Sequence, residues 1–280
     1  MDVDQLIREI LADLKANRLR LPTQPQVAVK INELIDSPGT TTKQVARVLS
    51  TDAALSARLI QAANSPLLRA HTPVDNVQGA VLRLGMRTVR NLVSAFLVRQ
   101  MFHTRFQPLR QRISELWSHS IHVAAISYVL ALRFTDLKAD EAMLAGLVHD
   151  IGKLPIIAKA EEHPDLAQDP RAIDTLNGRL HAVLGKLILQ AWRFAPTFAS
   201  VASEHDDLQR ESPRLDLTDV VTVANLHSYT GGDKRRNPHA GVDWNEVPAF
   251  HKLGLDPLGS IDVLKEASEE IREIQRLLSG

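Results

Sequence analysis

Three observations predict an all-α protein. Apolar residues recur three and four positions apart along most of the 280-residue chain, which lines them up on one face of a helix. No stretch alternates apolar and polar side chains as a half-buried strand would. The apolar runs are punctuated by Pro, Gly, Asn and Ser clusters, the residues that stop helices and turn the chain.

Val3, Leu6, Ile7, Ile10, Leu11 and Leu14 fall on one helical face, and Leu21-Pro22-Thr23-Gln24-Pro25 ends that run. A second helix is predicted from Val27 to Ile35, stopped by Asp36-Ser37-Pro38-Gly39. Thr41 or Thr42 then caps a helix carrying Val45, Val48 and Leu49, because a threonine hydroxyl accepts from the unpaired N–H groups of a first turn. Helices over 53–63, 74–84 and 87–102 follow, interrupted at Asn64-Ser65-Pro66, Thr72-Pro73 and Gly85-Met86.

From about residue 108 the predicted helices lengthen: 110–133, 140–148, a piece after Pro155, 172–192, 196–205 and 216–229. Gly231 to Pro238 reads as a polar loop. Its Lys234, Arg235 and Arg236 could touch a phosphate, but a solvated loop is the simpler reading. A last amphipathic helix is expected from Ser260, as N-cap, through Ile261, Leu264, Ala267, Ile271, Ile274 and Leu278. Its spacing does not say whether it packs on the body or on another subunit.

Composition narrows the function. A 44% hydrophobic chain of this length can bury a sizeable core. Lys plus Arg and Asp plus Glu are 33 each, so no global field draws the chain to nucleic acid or to an anionic membrane, and neither is expected as a partner. The absence of Cys excludes disulfides, thiolate metal sites and cysteine nucleophiles, and fits a cytoplasmic protein. The acidic N-terminus does not read as a secretory signal. The longest uncharged run, Leu116 to Leu132, is seventeen residues with two histidines and three serines, which reads as a buried helix and not a membrane span.

His149-Asp150-Ile151-Gly152-Lys153 carries the strongest chemical signal. The preceding Ala142 to Val148 reads as a buried helix, so an imidazole and a carboxylate are delivered into a packed interior, where charge needs a partner. The pair is either a hydrogen-bonded polar core or part of a metal site. His119, His181 and His205 favour the second, since each lies on a separate segment of helical spacing and all could feed one pocket. Together these residues resemble the HD superfamily of metal-dependent phosphohydrolases, whose ligands are a helix His, a His-Asp pair, often further His, and a late Asp.

The first half sharpens the resemblance. Leu21 to Pro25, Val45 to Leu59, Ala63-Asn64-Ser65-Pro66 and Ala80-Val81-Leu82-Arg83-Leu84-Gly85 resemble the opening blocks of the HDOD domain, the HD-related output domain, and the likeness extends from Leu19 to about Tyr229. It implies an HD-like helical bundle over 108–230 with an additional N-terminal helical lobe over 1–107, followed by a loop and amphipathic helix over 231–280. It also implies His119, His149, Asp150, His181 and His205 as metal ligands, with Asn225 where hydrolases have the late Asp. Asp219, nearly two turns earlier, is a poor stand-in.

Imidazole and carboxylate donors suit Fe, Mn, Ni or Zn, and an Asn in place of Asp removes an anionic ligand. The wording His-Asp-Ile-Gly-Lys is found in cyclic-dinucleotide phosphodiesterases of the HD-GYP type, which makes Asp150 and Lys153 the candidate catalytic residues. The Gly-Tyr-Pro segment of those enzymes is missing after His205. The expected function is therefore a bacterial signal-transduction module with a weak or degenerate hydrolase site, binding a protein partner or a small phosphorylated ligand. The alternative is a metal-dependent phosphohydrolase acting on a nucleotide or other phosphate ester.

Overall fold

The computed structural model describes residues 3–16, 18–19, 21–68, 72–230 and 237–279. Lys234, Arg235 and Arg236 lie outside the described residues. Among those described there are fifteen α-helices, short 3-10 turns and no strand.

Helix α1 (Val3–Lys15) buries Leu6 and Ile10, and α2 (Gln26–Asp36) buries Ala28 and Ile31. For α3 (Thr42–Leu49), Thr41 is the cap: its hydroxyl accepts from the Gln44 N–H while the Gln44 side chain accepts from the Thr41 N–H. Asp52 caps α4 (Ala53–Ala63) by its carboxylate alone, which accepts from the Leu55 N–H. Where two helices were expected at 74–84 and 87–102, α5 (Val77–Val98) runs through, kinked at Gly85. Gly85 has φ +77°, a conformation that side chains with a Cβ rarely adopt, so the interruption seen in the sequence is a bend and not a break.

Helix α6 (Arg110–Phe134) is the axle of the molecule. Ser120 to Ala131 is buried except at His122, as the long uncharged run predicts. Around it lie α7 (Ala139–Val148), α12 (Leu217–Ser228) and α15 (Ser268–Ser279). Between α7 and α12 the chain forms α8 (Lys153–Glu162), α9 (Pro164–Ala167), α10 (Pro170–Ala191) and α11 (Pro196–Glu204). Two short helices, α13 (Pro248–Lys252) and α14 (Pro257–Glu266), lead into α15. No helix among the described residues is long and apolar enough to cross a membrane.

The C-terminal helix departs from expectation in two ways. It is divided, α14 ending and α15 beginning around Ala267, and its cap is Asp256, whose carboxylate accepts from Leu258 and Gly259 N–H. Ser260 is not a cap but a buried residue whose hydroxyl donates to Pro257 O and meets His227 Nε2 at 2.9 Å. The Asp256-Pro257 step was the better signal, since proline suits a first helical position. Helix α15 packs on its own chain: Arg133 clasps both Glu270 oxygens at 2.9 Å, and Arg58 donates to the carbonyls of Leu277 and Leu278.

His227 makes this packing sensitive to acid. It is 2% exposed, lies edge-on to Trp244 and Phe250, and burial lowers its pKa to about 4 from an ordinary 6.5. The folded state thus binds this proton less readily than the unfolded chain. Its contribution is intact above pH 6.5 and is lost as pH falls toward 4, by on the order of 3 kcal/mol. Urea midpoints between pH 7 and 4.5 should fall less steeply for His227→Gln than for the parent. Equal slopes would show that other groups set the acid limit.

Candidate metal centre

Two close helix approaches build the site. At Gly146 on α7, an added Cβ would lie 2.7 Å from Ser127 Oγ and 2.9 Å from Ala124 Cα of α6. At Gly152, in the turn between α7 and α8, it would lie 1.9 Å from the His181 carbonyl oxygen and 2.5 Å from Gly185 N of α10. Only residues without a side chain allow these backbones to touch. The result sets α6, the α7–α8 turn and α10 around one point, with His119, His149, Asp150 and His181 facing it.

His119 Nε2 lies 3.2 Å from His149 Nε2 and 3.6 Å from Asp150 Oδ2. On the other side of the same carboxylate, Asp150 Oδ1 lies 3.6 Å from His205 Nε2 and 3.9 Å from His181 Nε2. Two groups of potential ligand atoms result, His119 with His149 and Asp150, and Asp150 with His181 and His205, each within 4.8 Å of one another. His149, Asp150, His181 and His205 are buried and His119 partly so. Asp150 Oδ1 and His181 Nε2 are buried without a hydrogen bond although neighbours stand near them.

The other ring nitrogens decide the tautomers. His149 Nδ1 is 2.6 Å from Gly146 O, His181 Nδ1 2.6 Å from Asn177 O, and His205 Nδ1 2.9 Å from Val201 O. A carbonyl only accepts, so each Nδ1 carries the hydrogen and each Nε2 is left with its lone pair turned inward. His119 follows the same rule. The Ser228 hydroxyl donates to Asn225 O and so has only a lone pair for His119 Nδ1–H at 3.4 Å. Two lone pairs facing each other at 3.2 Å repel unless a cation lies between them.

The charges agree. Burial, with His149 beside it, lowers His119 to about 3, and burial lowers His149 too, so both rings are neutral donors. Burial alone would raise Asp150, but the Lys153 ammonium and the His149 ring hold it well below the ordinary carboxylate value. His205 is the exception: burial pushes it down, but the Asp206 and Asp150 carboxylates outweigh it and raise it, so its Nε2 holds a proton more readily than a free imidazole and must release it to serve as a ligand. Lys153 is ion-paired with Asp150 Oδ2, at the edge of a cavity of about 260 Å³ also lined by Arg112, His119 and Tyr229.

The HDOD domain family matches residues 21–208. The chain belongs to that family. A protein of Shewanella amazonensis SB2B, provisionally assigned as a metal-dependent phosphohydrolase, is 28% identical with a TM-score of 0.85, over 99% of both chains. A Marinobacter aquaeolei VT8 protein, provisionally assigned to signal transduction, is 20% identical with a TM-score of 0.65, over 94% of this chain and 61% of its own, a likeness of fold. A relative of uncharacterized function in Treponema pallidum (strain Nichols) is 21% identical over 221 residues, and this HDOD chain spans 42% of that relative's length.

Several groups at the HDOD centre escaped the sequence reading. Asp206 adds a second carboxylate, 3.3 Å from His181 Nε2 and 3.5 Å from His205 Nε2. A signal was present, because His205-Asp206 repeats the His149-Asp150 pair. His239 Nε2 comes within 3.3 Å of Asp206 Oδ1, and Tyr229 lies against His119 with ring centres 5.2 Å apart. No local pattern marks either one, and both lie beyond the matched span. Asn225 donates to Asp206 Oδ1 at 3.2 Å, while its own Oδ1 is buried without a partner. Asp219 is occupied elsewhere: its carboxylate accepts from the N–H of Asp216, the cap of α12, and from Arg210 and Lys252.

Proposed function

We propose that this HDOD chain is a regulatory module whose His-Asp centre holds a divalent transition metal and binds a small phosphorylated ligand beside it. The observation that carries this reading is the facing pair of Nε2 atoms of His119 and His149 at 3.2 Å, each with its Nδ1 hydrogen already committed. That spacing suits two imidazoles sharing one ion at bonds of roughly 2.0–2.1 Å. His119, His149 and Asp150 would hold one ion, and Asp150, His181 and His205 offer a second position with Asp206 beside it. The backbone carbonyls behind the rings orient them, the usual office of outer partners in a metal site.

When bound, such an ion lowers the pKa of a coordinated water toward neutrality and polarises a phosphoryl oxygen. The chain's own cations serve the ligand. Arg112 lines the cavity, 2.6 Å from Asp174, and the Lys153 ammonium turns to a phosphate once Asp150 is engaged elsewhere. Asn225 in place of a carboxylate leaves the site one negative charge short, so slow turnover is expected. Efficient phosphohydrolysis is the second reading, favoured by Lys153 at the cavity mouth and by the likeness to the Shewanella protein.

Asn225→Asp separates the two readings. In that variant a carboxylate faces Asp206, so the protein should be less stable without metal and should bind the ion more tightly, by about tenfold for each 1.4 kcal/mol gained. Parent and variant are assayed for metal affinity and screened with phosphatase and phosphodiesterase substrates under Mn, Fe, Ni and Mg in turn. Weak turnover in the parent and tighter metal binding in the variant support the regulatory reading. Robust metal-dependent turnover by the parent, lost in His149→Ala, would replace it with phosphohydrolysis.

A further inference from the structure

A second cavity, of about 690 Å³, opens where α2, α5, α7 and the α10–α11 turn meet, and shares no lining residue with the cavity at the metal centre. Its size is that of a small-molecule site. Trp192, Phe194 and Phe198 line it as an aromatic wall of tilted and edge-on rings, and Ser94 lines it from α5. Ser94 is 4% exposed, yet its hydroxyl makes no hydrogen bond to the described residues. A hydroxyl with no partner in the chain that opens onto a cavity is a place for a ligand's polar atom.

Arg193 on the rim is the second observation. Helix α10 ends in a Schellman turn, with Arg193 N–H donating to Gln190 O and Phe194 N–H to Leu189 O at 3.0 Å. Arg193 occupies the left-handed position of that turn at φ +57°, where glycine is favoured. Backbone strain of this kind collects at binding sites. Arg193 is an exposed residue of the cavity lining, and its guanidinium has no ion-pair partner among the described residues. The other charges are Arg90 paired with Asp36, Arg87 at 3.8 Å from Glu141, and exposed Glu33. With the other four charges paired, Arg193 and Glu33 are left as one cation and one anion on the lining, which suits a ligand with one compact anion for Arg193 and a flat body whose ring N–H groups Glu33 can accept from.

We propose that this cavity binds a nucleoside monophosphate, its phosphate on Arg193, its base against the Trp192–Phe198 wall and a polar atom on Ser94. The site is independent of the metal centre. Titration calorimetry of the full chain with AMP and GMP, and with inorganic phosphate as control, tests it. Saturable binding of one nucleotide is expected, weakened at least roughly tenfold in Arg193→Gly, the loss of one charge-assisted hydrogen bond. Because glycine relieves the strained turn, the melting temperature should hold or rise, so lost binding cannot be blamed on misfolding. Ser94→Ala should weaken binding and Lys153→Ala should leave it unchanged. The proposal is overturned if neither nucleotide binds, if phosphate alone binds as well, if Arg193→Gly retains full affinity, or if Lys153→Ala abolishes binding.

Discussion

Gly152→Ala is expected to be among the most damaging single substitutions in this protein. The added methyl would overlap the His181 carbonyl oxygen at 1.9 Å and approach Gly185 N at 2.5 Å, and both obstacles are backbone atoms of α10 that cannot rotate away. Overpacking usually costs about 1–3 kcal/mol where side chains can adjust, so roughly 3 kcal/mol or more is expected here. Against a total stability on the order of 5–15 kcal/mol, that is a large share. Gly178 supplies the control on the same helix, because nothing lies within 4 Å of a Cβ there. Gly178→Ala should be neutral or stabilising by about 0.5–1 kcal/mol. Urea unfolding midpoints would decide, and similar midpoints for the two variants would mean that α8 and α10 do not rely on this contact.

Asp150→Ala is expected to abolish metal binding at the proposed centre. Asp150 is the one residue common to both groups of ligand atoms, and its loss leaves neutral imidazoles, with Asp206 the remaining carboxylate near them. Deleting an outer-shell partner commonly costs about 10–100-fold in metal affinity, and deleting this shared ligand should exceed that range. Elemental analysis of protein purified without chelators, with Mn titration of the apoprotein, gives the comparison. Lys153→Ala, which removes the cation competing for the same oxygen, should hold metal at least as well as the parent. Unchanged metal content in Asp150→Ala would place any bound ion elsewhere.

Much of the centre was legible in the sequence because each donor sits on a helix of clear periodicity. His119, His149, Asp150, His181 and His205 were all named from local spacing and family likeness, and the fold brings all five together. Asp206 was legible in principle, as the second half of a repeated His-Asp pair, but adjacency does not say that the side chain turns inward. His239 carried no signal. It reaches Asp206 only because the segment before α13 comes back to the residues that follow α11, a contact between distant parts of the chain. Ser260 misled because a serine at the head of an apolar run is a common cap, whereas Asp256 and Pro257, four and three residues earlier, satisfy the first turn better.

By itself the sequence determined an all-α chain, most of its helix ends, its HDOD kinship and the donor atoms available to a metal. These follow from 3.6-residue periodicity, capping chemistry and the side chains themselves, all of which act within a turn or two. The tertiary structure alone decided that the Nε2 atoms of His119 and His149 meet at 3.2 Å, that Gly152 lies against α10, and that Arg193 and Ser94 share a cavity. Those relations depend on how helices distant in the chain pack against one another. Packing is set by the fit of whole faces, which no local pattern encodes.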